Sequence, residues 1–261
     1  MGAPCYFSLR ERCIMSIKVL FCDVDGSLVP EESEPWDWSL FAKLAEMIRE
    51  TGRNGKLRIG LCTGRPQPYV EALMKTLGIT LPAVCENGAV LYDLHTNRAE
   101  FGPGVTSSKI HALNRLKSML IDRLPREFPE IIYQVGKEAQ LSLYCARPER
   151  LDAVMSLISH FAEQDPELDV TLAKTNYYLN IDLRGVNKGS GLRAVLARLG
   201  IAREEAAFLG DSSGDLTARD AAALFTCPSN ATDAVKAVAD YVSPYPVTAG
   251  ALDIIRYLAG S

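Results

Sequence analysis

The stretch Ile17-Lys18-Val19-Leu20-Phe21-Cys22-Asp23-Val24-Asp25-Gly26-Ser27 constrains the fold more than any other part of the chain. A short apolar run that ends in turn chemistry predicts a buried strand of a parallel sheet, the kind of sheet that helices cover on both faces. Such sheets gather ligands at the carboxyl ends of their strands. Asp23 and Asp25 stand at that end. Side chains alternate along a strand, so the two carboxylates point one way and Val24 the other, and Gly26 lets the chain turn sharply after them. Adjacent carboxylates repel. Keeping both ionised calls for a cation, and a hard ion with oxygen ligands such as Mg²⁺ is the natural one. A solvated pair of strand-end aspartates is the plain alternative, and the rest of the chain bears on the choice.

With 261 residues and 48% hydrophobic side chains, the chain is long enough for one large or two modest domains with substantial cores. Lys and Arg number 28 against 32 Asp and Glu, a formal charge of -4, and no basic run makes a nucleic-acid footprint. No apolar run approaches the roughly 20 residues of a membrane span. Neither nucleic acid nor membrane is expected as a partner, a phosphate-bearing small molecule stays open because a local site can be cationic on an acidic chain, and a monomer or homodimer is expected. The seven cysteines are odd in number and lack metal-ligand spacing, and Cys22, Cys62 and Cys85 fall in or at the ends of core strands, where Cys acts as a small hydrophobe. A reducing cytoplasm is the expected compartment. Residues 1–15 lack the apolar region of a signal peptide and read as a disordered extension, with Met15 a conceivable alternative start.

Beyond the polar stretch Pro30 to Pro35, a helix is predicted from about Asp37, with Leu40, Phe41, Leu44, Met47 and Ile48 on one face and Gly52 past its end. A second strand, Leu57 to Cys62, runs into Thr63-Gly64-Arg65-Pro66, where Pro66 opens a helix that Gly78 closes. A hydroxyl, a glycine and free N–H groups at a helix start suit an anion, although an ordinary helix cap explains the same residues. Pro82 to Cys85 predicts a third strand, followed by the turn Glu86-Asn87-Gly88-Ala89 and by Val90 to Tyr92.

From about Phe101 the pattern changes to helix, strand, strand, twice over, ending with the strand Tyr177 to Leu183. That order predicts an antiparallel sheet with both helices on one face, an inserted domain whose other face covers a site. Tyr178, Asn180 and Asp182 alternate with apolar neighbours to give that face its polarity. The βα alternation returns at Asn187, a predicted N-cap, before Lys188 in a first turn where the helix dipole disfavours a cation. The cost implies an anionic partner for Lys188, unless the side chain is simply exposed. Ala206 to Leu209 is then a strand leading into Gly210-Asp211-Ser212-Ser213-Gly214-Asp215, a second acidic pair in a strand-to-helix loop. Two further strands and a final helix complete an α/β, Rossmann-like core over 16–93 and 186–261, with the insertion at 94–185.

Asp23/Asp25, Thr63, Lys188 and Asp211/Asp215 together describe a phosphoryl-transfer site of metal-binding carboxylates, phosphate donors and one ammonium. In that order they resemble the four motifs of the haloacid dehalogenase (HAD) superfamily of phosphohydrolases. The α-β-β-α-β-β insertion resembles its type IIB (C2B) cap, shared by Cof-like sugar phosphatases, sucrose-phosphatase, trehalose-phosphatase, mannosyl-3-phosphoglycerate phosphatase and phosphomannomutases. The resemblance covers roughly Ile17 to Leu258.

It implies a Mg²⁺-dependent phosphatase of a small metabolite such as a sugar phosphate, working through an aspartyl phosphate. Asp23 is implied as nucleophile and metal ligand, and Asp25 as acid and base with its carbonyl on the metal. Asp211 completes the ligands, with Asp215 behind them. Thr63, the Gly64 backbone and Lys188 are implied to hold the phosphoryl group; Arg65, Asn87 and Asn180 are expected to touch substrate. Gly214 stands where the family pattern has Asn, which bears on how metal and Lys188 are oriented. A phosphomutase, whose bisphosphate would need cap cations such as Arg147, Arg150 and Arg184, and a non-catalytic phosphometabolite sensor are the alternatives.

Overall fold

The computed structural model describes residues 14, 16–31, 34–175 and 177–260, so the extension expected over 1–15 lies, but for residue 14, outside the described residues. The central sheet is parallel, with strand order β12-β11-β10-β1-β2. These strands are β1 (Val19–Cys22), β2 (Arg58–Leu61), β10 (Ala206–Leu209), β11 (Leu224–Cys227) and β12 (Tyr241–Val242). Alternation along β1 explains how one strand serves two cores. Leu20 and Cys22 join a cluster with Phe41, Leu44 and Ile48 of helix α1 (Trp38–Arg53), Val70 and Met74 of α2 (Gln67–Leu77) and Ile255 near the C-terminus. Val19 and Phe21 face the opposite way, toward Val195 and the stacked pair Phe208 and Phe225.

The ends of these helices follow from their sequences. Asp37 caps α1 by accepting hydrogen bonds from the N–H groups of Ser39 and Leu40 at 2.9 and 3.0 Å. Pro66 precedes α2, and Gly78 ends it at φ 77°.

A bridge from Cys62 to Val84 joins β2 to a small sheet of β3 (Ala83–Cys85), β4 (Val90–Asp93) and β5 (Arg98–Phe101). β5 is absent from the sequence expectation. It pairs antiparallel with β4 from Val90↔Phe101 to Asp93↔Arg98, so residues 94–101, expected in the insertion, stay with the core. Period-two alternation is weak in Arg-Ala-Glu-Phe, whose side chains are mostly exposed, and the signal is lost for that reason.

The insertion then contributes α3 (Ser107–Glu127), β6 (Ile132–Tyr133), β7 (Gln140–Tyr144), α4 (Leu151–Gln164), β8 (Val170–Lys174) and β9 (Tyr178–Leu183). Its antiparallel order is β6-β7-β9-β8. Leu179, Ile181 and Leu183 of β9 are buried in one apolar cluster with Leu113, Leu116 and Leu120 of α3 and Val154 and Ile158 of α4. Tyr178, Asn180 and Asp182 form the other, half-buried face. The core resumes with α5 (Lys188–Leu199), α6 (Leu216–Arg219), α7 (Asp233–Lys236) and α8 (Val247–Ala259). Among the described residues no helix is long and apolar enough to cross a membrane.

Candidate active site

The carboxyl end of β1 is pinned by the Asp23 N–H, which donates to the Leu209 carbonyl at 2.8 Å and sets Asp23 beside the loop after β10. Gly26 adopts φ +73°, and a Cβ there would lie 2.4 Å from Asp211 Oδ2. Only glycine permits both the turn and the approach. Ser27 Oγ then donates to Asp211 Oδ1 at 2.8 Å, and Asn230 Nδ2 holds the Gly26 carbonyl at 2.8 Å.

Lys188 opens α5, which Asn187 caps reciprocally with Ser190. Its Nζ lies 2.8 Å from Asp23 Oδ2 and 2.6 Å from Asp215 Oδ1, so the cation in the first turn has two anionic partners. The burial of all three side chains leaves solvent little power to screen them. The other oxygen of Asp215 accepts from Asp211 N at 3.0 Å, Ser212 N at 2.9 Å and Ser212 Oγ at 3.1 Å. Backbone and serine donors therefore order this loop without the amide that Gly214 lacks.

Asp23, Asp211 and Asp215 each offer a carboxylate oxygen within 4.8 Å of the others. An all-oxygen, buried, anionic donor set fits a hard divalent cation. Within it, Asp215 has its oxygens engaged by Lys188, two amides and a hydroxyl, whereas Asp23 gives one oxygen to Lys188 and Asp211 one to Ser27. Asp23 and Asp211 are the side chains best placed to hold a cation, with Asp215 steadying Lys188 and the loop.

The electrostatics agree. Burial pushes the Asp23 carboxyl up to about 7 against the pull of Lys188, with Asp215 and Asp25 adding to the rise. Burial, then the charges of Asp215 and Asp23, push Asp211 up to about 8. Burial opposes the charge on Lys188, but Asp215 and Asp23 outweigh it and hold the ammonium above the ordinary lysine range. The carboxylates lack a positive charge that a cation would supply.

Thr63 lies at the same rim, because β1 and β2 pair in the register Cys22↔Leu61 and the next residue, Cys62, bonds back to the Cys22 carbonyl. Its Oγ1 accepts from the Arg65 N–H at 3.2 Å. Asp25 and Arg65, which the sequence expectation separates into acid and substrate contact, form a two-bond pair at 2.8 and 2.6 Å. Arg65 also lies over the Tyr69 ring, 5.0 Å from its centroid.

Asn87 reaches across to the insertion, where its Nδ2 donates to Asp182 Oδ1 at 3.2 Å. Asn180 is one register step further along β9 and accepts from Ser142 Oγ at 2.7 Å. The core therefore gathers Asp23, Lys188, Asp211 and Asp215; Asp25 and Arg65 make a neighbouring pair; and Asn87, on a core turn, meets the polar face of the insertion that carries Asn180.

Several residues at this site escape sequence reading. Glu86, buried at φ +48°, accepts from the N–H groups of Glu138 and Ala139 and ties the core turn to the insertion. Lys137, Gln140 and Ser142 share one polar cluster with Asp182 and Asn180. The alternation of Gln140 and Ser142 with Leu141 and Leu143 is the signal that finds two of them.

A model of haloacid dehalogenase-like hydrolases matches residues 20–119 and 125–255. The chain is 26% identical to a phosphoglycolate phosphatase of Methanosarcina acetivorans over 247 residues, 94% of this chain and 97% of that protein. It is 25% identical to one of Thermoplasma volcanium over 230 residues, covering 88% and 92%. A solved haloacid dehalogenase-like hydrolase from Bacteroides thetaiotaomicron superposes with TM-score 0.71 at 17% identity, covering 92% of this chain and 98% of that one. A protein of Thermoplasma acidophilum does so with TM-score 0.71 at 23% identity, covering 93% and 98%.

Proposed function

Because the chain belongs to the haloacid dehalogenase-like hydrolases, we propose that it is a Mg²⁺-dependent phosphatase that cleaves a small phosphate monoester through an aspartyl phosphate. The observation that carries this reading is the buried cluster of Asp23, Asp211 and Asp215 around Lys188 at the sheet's carboxyl edge. Asp23 Oδ attacks phosphorus while the ester P–O bond breaks, and Asp25 gives a proton to the departing alkoxide. Asp25 then takes a proton from the water that attacks the aspartyl phosphate. Inorganic phosphate leaves and the Asp23 carboxylate is restored. Thr63 Oγ1 and the Gly64 N–H hold phosphoryl oxygens, and Lys188 favours the ionised form of Asp23 and aims it. A Mg²⁺ held by Asp23, Asp211 and the Asp25 carbonyl supplies charge neutralisation at the transferring group.

The Asp25–Arg65 pair sets the order of events. The Arg65 guanidinium occupies both oxygens of Asp25. Asp25 must therefore leave Arg65 at least in part when an ester enters, and Arg65 becomes free to meet it.

The matched relatives, named for a phosphorylated two-carbon acid, and the sugar phosphates expected from the sequence bracket the substrate size. Phosphate release from a panel of such esters, with and without Mg²⁺, tests the proposal. No release from any ester by the folded, Mg²⁺-loaded protein refutes it.

A further inference from the structure

Lys137 lies between β6 and β7 on the insertion, and nothing in the chemistry above uses it. Its Nζ donates to Gln140 Oε1 at 2.6 Å and to Ser142 Oγ at 2.7 Å. Both partners are neutral and their side chains are buried, at 0% and 2% exposure. An ammonium whose direct partners are neutral oxygens lacks a paired counter-charge of its own. Burial pushes this ammonium down to about 8.

The nearest carboxylates, Asp182 and Glu86, favour its charge but bond other groups. Asp182 accepts from Asn87 and from Gln140, and Glu86 accepts from two backbone N–H groups. Lys137 belongs to the polar cluster of the insertion that meets the core at Asn87. An unbroken polar path leads there from the phosphate loop. A Cβ on Gly64 would touch Asn87, Asn87 bonds Asp182, Asp182 bonds Gln140, and Gln140 bonds Lys137.

We propose that Lys137 is a specificity-determining residue that binds a carboxylate at the leaving-group end of the substrate, so that the preferred esters are short phosphorylated hydroxy acids. The proposal rests on the phosphatase reading and deepens it. A monoanionic carboxylate suits the site better than a second phosphate. One ammonium faces it, and Asp182 and Glu86 stand beside that ammonium to repel a dianion.

The test compares kcat/KM for 2-phosphoglycolate, 2-hydroxyethyl phosphate and p-nitrophenyl phosphate in the wild type, Lys137→Met and Lys137→Arg, all loaded with Mg²⁺. The wild type is expected to prefer phosphoglycolate to its neutral counterpart by about tenfold to a hundredfold, the worth of one hydrogen bond to a charged group. Lys137→Met should lose that preference through a raised KM while keeping p-nitrophenyl phosphate turnover within about twofold, and Lys137→Arg should restore part of it. A preference that survives in Lys137→Met overturns the proposal, as does an equal loss on all three esters, which marks a purely structural lysine. The wild-type comparison stands even if a variant fails to fold, since a wild type that hydrolyses p-nitrophenyl phosphate with no preference for the carboxylate also overturns it. A wild type that cleaves none of the three sinks the phosphatase reading itself.

Discussion

Replacing Lys188 with Met removes the ammonium between Asp23 and Asp215 while keeping an unbranched side chain of similar length. The three side chains are 6%, 9% and 0% exposed, so their attraction is little screened. Deleting one partner of a buried pair costs about 3–5 kcal/mol, because the remaining charge is stranded out of water. Protonation limits that cost and gives the prediction its pH signature. In the wild type the folded pKa of Asp23 is raised to about 7, so the folded protein holds an extra proton from the ordinary carboxylate range up to that pH. Stability falls as pH rises through this window and is flat for this group above it. Lys188 lowers Asp23 both by its charge and by its hydrogen bond, and without it the window extends upward. The gap between wild type and variant therefore widens above pH 7, by up to about 1.4 kcal/mol per pH unit. The raised pKa of Lys188 keeps the wild-type ammonium charged throughout. Urea unfolding of both proteins in EDTA at pH 7 and pH 9 makes the measurement. A loss under about 1 kcal/mol, the worth of an exposed pair, or a gap that narrows toward pH 9, refutes the argument.

Three further outcomes are expected. Asp23→Asn barely changes volume but removes the nucleophile, so phosphate release should drop by about a hundredfold or more with an unchanged far-ultraviolet spectrum; retention of a tenth of the wild-type rate rejects its role. Protons sit on Asp23 up to about 7 and on Asp211 up to about 8, and an entering cation must displace them. Mg²⁺ affinity should therefore rise between pH 6 and pH 8, by up to about tenfold per pH unit for each proton released, and flatten above; calorimetric titrations in two buffers count those protons, and a pH-independent affinity contradicts the assignment. Gly214→Asn should fold normally, because φ there is unexceptional and the nearest atom to an added Cβ is Ser212 Oγ at 3.7 Å. Its unfolding free energy should move by no more than about 0.5 kcal/mol, and a larger loss shows that the loop depends on the glycine.

The sequence is legible where chemistry and periodicity agree. The run from Ile17 to Asp25 has both signals, a buried strand and an acidic end, and the register of β1 with β2 and β10 brings Asp23 to the rim that carries Thr63 and Asp211. Lys188 was legible because a cation in a helix's first turn is locally unfavourable, and such a cost points to a partner from elsewhere in the chain. What stayed hidden depends on long-range approach. Asp25 and Arg65 are 40 residues apart, and their pairing follows from how β2 ends against β1. Glu86 reads only as part of a turn in the sequence, yet the insertion folds over it and supplies two N–H donors. Lys137 lies in a turn without periodicity, so only the folded insertion reveals that its ammonium is enclosed by Gln140 and Ser142.

The charge balance of the cluster separates the duties of its aspartates. Three carboxylates against one ammonium leave an excess of two negative charges, which matches a divalent cation and leaves the Asp25–Arg65 pair neutral beside it. Without the cation the raised pKa values of Asp23 and Asp211 mean that protons compensate for part of that excess near neutral pH. On the proposed mechanism a protonated Asp23 would not attack phosphorus, and a cation held by Asp23 and Asp211 would supply the charge that favours the ionised carboxylate. Asp211 shares this duty, because Ser27 occupies only one of its oxygens. Asp215 does not, since Lys188 and three donors of the 211–212 segment take its oxygens. Loss of Asp211 should therefore weaken cation binding directly, whereas loss of Asp215 should first misplace Lys188 and the loop that carries Asp211. The two variants differ in whether excess Mg²⁺ restores turnover, and the geometry favours restoration only for Asp211.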